Sequence, residues 1–437
     1  MTVLKRIEGF FFAPVSATGF GVLRAAWGAA QLSTFLALWM DIAEYYSDAG
    51  FLPTRLEPLL VRGVYRFSIF DWVTNAEGIH TLYFLLLIAL AFVILGVLPR
   101  LSLLVSLILV FSFHERMPFN LTGGDTLLRS VGFLLLLSPG IDAFSLGRLR
   151  KQYRNWRRTR TLLPPKMMPS WPYRVLLWQF CLLYVTSLWF KLQGDMWRDG
   201  TAVESVIHHP IFARWPQTTM NLLTPFTPLL NAFDLIAHLV WIPLLFPRQL
   251  RARFALPDWN GITWKELALI LGTLFHGGIY VFLLVGNFSI AILACYAGLL
   301  QDEDFTMVRR AFNHGHKESI TVLYDGRCGL CVRSVFWLRM FDWLRRLALV
   351  DFRDTEKRMQ AAPDLREEDL DRAMHIRFAD GRTLKGFDAV RALAGHLPPL
   401  WIAWPFLWLP GVAPIGRKIY ARIAESRNKC SHEACSL

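Results

Sequence analysis

Apolar runs of near-spanning length follow one another through most of the chain, at 21–40, 79–98, 101–114, 127–146, 174–192, 228–247, 266–286 and 287–301. About twenty consecutive apolar residues are what a helix needs to cross ~30 Å of hydrocarbon. In lipid a single segment satisfies its own backbone only as a helix. The expectation over residues 1–310 is therefore a multi-pass α-helical membrane domain of about eight spans. Pro99-Arg100 and Gly286-Asn287 mark the tight turns between neighbouring runs. Composition agrees: 54% of the 437 residues are hydrophobic, and 17 Trp and 33 Phe suit a chain with rings at bilayer interfaces. Residues Met1–Phe20 carry Lys5-Arg6 but no small-residue cleavage site, and read as a retained interfacial segment.

Charge gives the orientation. The net charge of +13 arises from 47 basic and 34 acidic residues. Between Arg148 and Arg174 lie Arg150, Lys151, Arg154, Arg157, Arg158, Arg160 and Lys166 with no acid among them, and Arg248, Arg251 and Arg253 follow the sixth run. The positive-inside rule puts both loops in the cytoplasm. With eight spans, the N-terminus and everything after residue 301 are cytoplasmic, and 41–78, 115–126 and 193–227 face the other side. No base-reading motif accompanies the charge, so nucleic acid is not an expected partner.

Residues 311–437 read as a second, soluble domain. Ile320–Tyr324 is a strand and Val332–Leu347 a helix with Val335, Leu338 and Phe341 on one stripe. Between them stands Asp325-Gly326-Arg327-Cys328-Gly329-Leu330-Cys331. A CxxC between a strand and a helix is where a thioredoxin-type fold carries its redox pair, because the helix N-terminus favours a thiolate. A second strand covers Ala348–Phe352, a hairpin starts at Met374–Phe378 and turns at Asp380-Gly381, and Phe387–Ala394 is a helix. Residues 397–412 are too broken by Pro398, Pro399, Pro405 and Pro410 to be a span, and read as a packed or membrane-grazing segment. Tyr420, Ile423 and Arg427 lie on a closing helix.

Ionisable groups at membrane depth mark function unless they are paired or reach the interface. Arg24 stands in the first run, and Lys191 ends the fifth with Trp197, Arg198, Asp199 and Gly200 beyond it. Lys191 either snorkels or serves a site. His276 lies mid-run beside Gly277-Gly278, as a functional group or as an interhelical hydrogen bond. His114, Asn120 and Asp125, with Gly123-Gly124, form a polar stretch that is either an exposed loop or a re-entrant cavity lining. His208-His209 is a loop pair without further metal ligands at suitable spacing, and no metal site is expected in the chain.

Phe20-Gly21-Val22-Leu23-Arg24, Gly28, Tyr45-Tyr46, Gly50, the run from Tyr184 through Lys191-Leu192 to Trp197-Arg198-Asp199-Gly200, and Phe275-His276-Gly277 resemble, in order, the HTTM family. That membrane domain is shared with vitamin K-dependent gamma-glutamyl carboxylase. The resemblance covers roughly residues 15–305. It implies a quinone or quinol (vitamin K-like) substrate, Lys191 as the base that deprotonates it, and His276, Arg24, Trp197 and Asn120 around it. A lysine in an apolar setting can act as a neutral base. The carboxylase also has a histidine near the Asn120 region, where His114 is off register, and a large lumenal domain without a counterpart here.

Asp325, Cys328 and Cys331, followed by Asp380-Gly381, Gly386, Ala389 and the Tyr420 to Arg427 ending, resemble the DCC family of thiol–disulfide oxidoreductases. The resemblance implies a small α/β thioredoxin-like domain with a redox-active Cys328–Cys331 disulfide. Cys328, N-terminal in the pair, would attack, Cys331 would resolve the mixed disulfide, and Asp325 would relay protons or cap the helix. In place of the cis-proline of thioredoxins stands Arg372-Ala373. A half zinc site, completed by Cys430, His432 and Cys435, is the competing reading of the CxxC. The tail cysteines would otherwise form a reversible disulfide or stand idle.

These readings lead to a membrane-bound thiol–disulfide oxidoreductase, of the inner membrane if bacterial. Its partners are the lipid bilayer and a protein or small-molecule thiol or disulfide. The alternatives are a carboxylase-like enzyme that uses Lys191 on an exported peptide, and a non-enzymatic scaffold or transporter with a regulatory CxxC.

Overall fold

The computed structural model describes residues 3–56, 67–246, 263–313 and 319–429. Arg248, Arg251, Arg253, Cys430, His432 and Cys435 lie outside them. The chain divides into two compact units, Met1–Gln152 with Leu163–Asp304, and Tyr153–Leu162 with Phe305–Leu437.

The first unit is helical. Its principal helices are Thr18–Ala37, Ala76–Leu95, Pro99–Arg116, Gly123–Leu137, Trp171–Gln193, Thr227–Leu239, Trp264–Phe282 and Phe288–Tyr296. Local chemistry sets their ends. Gly96 ends the second in the left-handed region at φ 67°, and Pro99 opens the third. Capping boxes of Thr122 with Asp125 and Thr263 with Glu266 start two others. Gly123-Gly124 therefore opens a helix instead of making a re-entrant turn, and Gly124 lets that helix approach the Phe288 backbone. A short antiparallel pair joins β1 (Pro14–Ser16) to β2 (Met167–Pro169).

Four helical stretches, not eight, are long and apolar enough to cross a membrane among the described residues: Ala76–Leu95, Trp171–Gln193, Gln217–Leu245 and Trp264–Phe282. The others fall short for physical reasons. Gly123–Leu137 has 15 residues, or about 22 Å of helix. Phe288–Tyr296 has nine. Thr18–Ala37 is diluted by Gly, Ser, Thr and Gln and contains Arg24, and Pro99–Arg116 contains Arg100, Glu115 and Arg116. On Ala76–Leu95, Leu86, Leu90 and Val93 are buried while Phe84, Ile88 and Leu95 are exposed, as lipid contact permits.

The second unit carries a four-stranded mixed sheet in the order β4-β3-β5-β6. β3 (Ile320–Tyr324) runs parallel to β4 (Leu347–Asp351), the helix Gly329–Phe341 lying between them in the chain. β5 (His375–Arg377) pairs antiparallel with β3, and β6 (Thr383–Lys385) antiparallel with β5. Strand alternation builds two cores. Val322 packs with Leu347, Ile376, Leu393 and Leu397, and Leu323 packs with Phe352, Ala362 and Leu370. The β5–β6 turn uses Gly381 at φ 86°, where the Asp-Gly pair was expected to reverse the chain.

The Gly329–Phe341 helix starts earlier and ends six residues sooner than the periodicity suggested. Its last turn gives way to Asp342, a buried carboxylate that accepts from the amides of Arg346 at 2.7 Å and Leu347 at 3.1 Å. Those bonds turn the chain directly into β4. Two further helices, Thr355–Ala361 and Glu367–Arg372, fill the stretch before β5.

Candidate functional site

In the second unit β3 delivers Asp325 to the C-terminal edge of the sheet, and the chain turns there into the CxxC. Cys328 is the N-cap residue of the Gly329–Phe341 helix, and its carbonyl accepts from Val332 at 3.0 Å. Both Cys328 and Cys331 are partly exposed. An anion on Cys328 would face the positive end of the helix dipole.

The loop before Cys328 is clamped by carboxylates. Asp351, at the end of β4, accepts from the Gly326 amide at 2.9 Å and the Arg353 amide at 3.1 Å. A Cβ on Gly326 would overlap that carboxylate, so glycine is required by close approach. Asp325 is buried and accepts from the Arg327 amide at 3.0 Å. Its two oxygens take Nε and Nη2 of Arg353 at 3.2 and 3.0 Å. Arg353 also pairs with Glu367 at 2.8 Å and with Asp371. The hydrogen bond donated to Asp325, against desolvation and with help from Glu367, raises the Arg353 pKa above its ordinary value. Burial, then Asp351, raises that of Tyr324.

An apolar cavity of about 280 Å³ adjoins Cys331. Cys331 and Asp325 line it with Leu330, Val335, Met374, Leu393, Leu400 and Ile423. Tyr420 closes one wall and accepts from the Met374 amide at 2.9 Å.

The first unit gathers a different set. Lys191 Nζ lies 2.6 Å from both oxygens of Asp234, a buried residue of the Thr227–Leu239 helix. Its ammonium sits 4.2 Å over the Trp197 ring and 5.4 Å from that of Phe275. His238, one turn past Asp234, bonds the Asp234 carbonyl at 2.7 Å and Ser187 at 3.2 Å. The Tyr184 hydroxyl meets His276 Nε2 at 2.8 Å and also bonds Tyr296. The rings of Tyr184 and His238 touch edge to face at 5.2 Å. Gly272, instead of Gly277 or Gly278, is the glycine of close approach, because a Cβ there would overlap the Tyr296 hydroxyl.

Two residues expected beside Lys191 are employed elsewhere. The Arg24 guanidinium is buried and bonds the carbonyls of Val93 and Phe144, with Ile94 and Gly21 at 3.4 Å. Asn120 is exposed at the end of a 3-10 turn. The buried asparagine of this region is Asn287, which donates to Asp125 at 2.6 Å and accepts from Thr122 at 2.6 Å. His114 stands 3.8 Å from Asp125.

Sequence reasoning missed Asp351, Arg353, Asp234, His238 and Tyr296. The i, i+4 spacing of Asp234 and His238 on an apolar run was the available signal. The other three act through tertiary contacts that no local pattern announces.

The second unit is thus a small α/β region with a mixed sheet and a CxxC at the N-terminus of its first helix after β3. A model of the DCC1-like thiol-disulfide oxidoreductase family matches residues 322–433, which supports a thiol–disulfide oxidoreductase role for this unit. No curated protein and no solved structure matches the chain.

Proposed function

We propose that the chain is a membrane-bound protein-disulfide oxidoreductase that exchanges through Cys328 and Cys331. The observation that carries the reading is the CxxC seated at the helix N-terminus within the segment matched by the thiol–disulfide oxidoreductase family. The Cys328 thiolate attacks a substrate disulfide, and Cys331 attacks Cys328 to release the reduced substrate. Asp351 and the Asp325–Arg353 pair keep the loop in position for both steps.

The unit works on the cytoplasmic face. Residues Tyr153–Leu162, from the acid-free basic stretch, belong to the same compact unit as the CxxC. Trp156 donates to the Val332 carbonyl at 3.0 Å and Arg160 to that of Gly326 at 3.0 Å. The positive-inside rule, applied to a segment that packs within this unit, supports the cytoplasmic placement.

The helical unit handles a quinone or another lipid-phase substrate. In support, His276 Nδ1 and Trp241 Nε1 are buried without a hydrogen-bond partner among the described residues. His276 and Trp241 would hold its oxygens, and Tyr184 would orient His276. A quinone would supply two-electron, two-proton chemistry in the lipid phase. In a second reading, the carboxylase-like one acting on an exported peptide, Lys191 would be the base, and Asp234 would have to take the ammonium proton first.

The test is reduction of a model protein disulfide by the full chain in lipid vesicles. Cys328→Ser loses the activity on this reading, and a Cys328→Ser protein with the wild-type rate overturns it.

A further inference from the structure

The closing region of the second unit exposes an aromatic and aliphatic surface. Ile402 is 85% exposed, Phe406 63%, Trp408 53% and Ile419 53%, and Trp404 and Ile415 stand out beside them. The prolines break residues 397–412 into two 3-10 turns, Pro398–Leu400 and Pro405–Trp408, that do not bury these side chains. Basic groups rim the surface. The Arg391 guanidinium stacks on Trp408 at 3.8 Å, and Arg417, Lys418 and Arg422 are exposed on the Val412–Lys429 helix. Exposed tryptophans with a basic rim are the side chains that settle at the boundary between anionic headgroups and acyl chains.

The same elements form the wall of the cavity at Cys331. Leu400 ends the first 3-10 turn, next to Trp401 and Ile402, and lines the cavity. Ile423 and Ala424, one turn beyond Ile419 on the closing helix, line it too, and Ile423 is itself 48% exposed. The exposed apolar surface and the cavity at Cys331 thus share these two elements. At about 280 Å³ the cavity stands just below the usual range of small-molecule pockets, roughly 300–1,000 Å³.

We infer that this face lies on the bilayer and that the Cys328–Cys331 pair serves a membrane-dissolved, alkyl-bearing disulfide, whose chain enters the cavity. The inference rests on the exchange reading above and names the substrate class of that site. In the step, the Cys328 thiolate attacks one sulfur of RS–SR. The S–S bond breaks and RS⁻ leaves. Cys331 then attacks the Cys328 sulfur and expels the second RS⁻. The protein dithiol is oxidised to a disulfide, the substrate is reduced to two thiols, and the two cysteine protons pass to them. A dithiol reductant, dithiothreitol in the test, resets the pair.

The experiment compares didodecyl disulfide with hydroxyethyl disulfide, using the full chain in phosphatidylglycerol–phosphatidylethanolamine vesicles. Ala424→Phe, which fills the cavity, raises KM for the dodecyl substrate on the order of tenfold, about 1.4 kcal/mol of binding. Its KM for hydroxyethyl disulfide, which has no chain to place in the cavity, rises far less. Ile402→Glu with Phe406→Glu lowers the dodecyl rate alone. A benzoylphenylalanine at position 402 crosslinks to lipid on illumination, a readout that needs no destabilising change. Equal effects on both substrates, or a crosslink to protein instead of lipid, overturn the inference. Exchange with neither substrate in the wild-type chain sinks the oxidoreductase reading itself.

Discussion

The guanidinium of Arg353 faces the carboxylate of Asp325 with two hydrogen bonds, Nε to Oδ1 at 3.2 Å and Nη2 to Oδ2 at 3.0 Å. The two residues stand 28 positions apart, and the pair ties the loop before Cys328 to the end of β4. Asp325 thereby becomes an anchor of the redox loop, in a motif where proton relay or helix capping was the expected role.

Removing that guanidinium takes two charge-assisted hydrogen bonds from a buried carboxylate that also accepts from the Arg327 amide. Arg353→Ala is expected to lower stability by about 2 kcal/mol, the scale of hydrogen bonds to a charged group. Arg353→Lys restores less than half, since an ammonium has no bidentate fork. Thermal unfolding of the full chain checks both, and an unshifted Tm for Arg353→Ala contradicts the clamp.

Gly326 tests the same clamp from the other side. In Gly326→Ala the new methyl collides with the Asp351 carboxylate, which is fixed by two backbone amides. The overlap costs about 1–3 kcal/mol and displaces the loop. Disulfide reduction falls with it, while Gly329→Ala, whose Cβ meets nothing within 4 Å, is expected to fall much less. Equal rates for the two variants would show that the loop does not depend on Asp351.

Much of the second unit was legible because its signals are local. The β3 residues, the Asp380-Gly381 turn and the CxxC placement follow from alternation, turn chemistry and motif context. The helix end at Phe341 was not, because Asp342 stops it by bonding amides four and five residues on. Eight apolar runs were legible in the first unit, but four of them are too short or too polar once their helix limits are drawn. Lys191 stood out alone in the sequence; its partner Asp234 is 43 residues away and meets it only through helix packing.

That pair predicts a thermodynamic cycle. Lys191→Met or Asp234→Leu alone strands a charge among apolar side chains and is expected to destabilise by about 3–5 kcal/mol. The double variant removes both charges and recovers most of the loss, a coupling readable from unfolding in detergent. Additive losses would mean that the two side chains do not act as a pair.

Orientation has its own test. With the other cysteines changed to serine, Cys328 and Cys331 in intact cells should resist a membrane-impermeant maleimide and react after lysis. Labelling before lysis places the unit on the opposite face and separates it from the positive-inside reading of Arg148 to Arg174.

The central claim is that Cys328 and Cys331 form one reversible dithiol–disulfide couple, and redox titration reads it most directly. The full chain in lipid vesicles is equilibrated with glutathione buffers between about −320 and about −180 mV, alkylated and digested. Trypsin releases Cys328 and Cys331 in one peptide, between Arg327 and Arg333. The account predicts a single two-electron transition of that peptide from two alkylated thiols to one internal disulfide. A peptide that stays doubly alkylated throughout, or that carries only separate glutathione adducts, contradicts it.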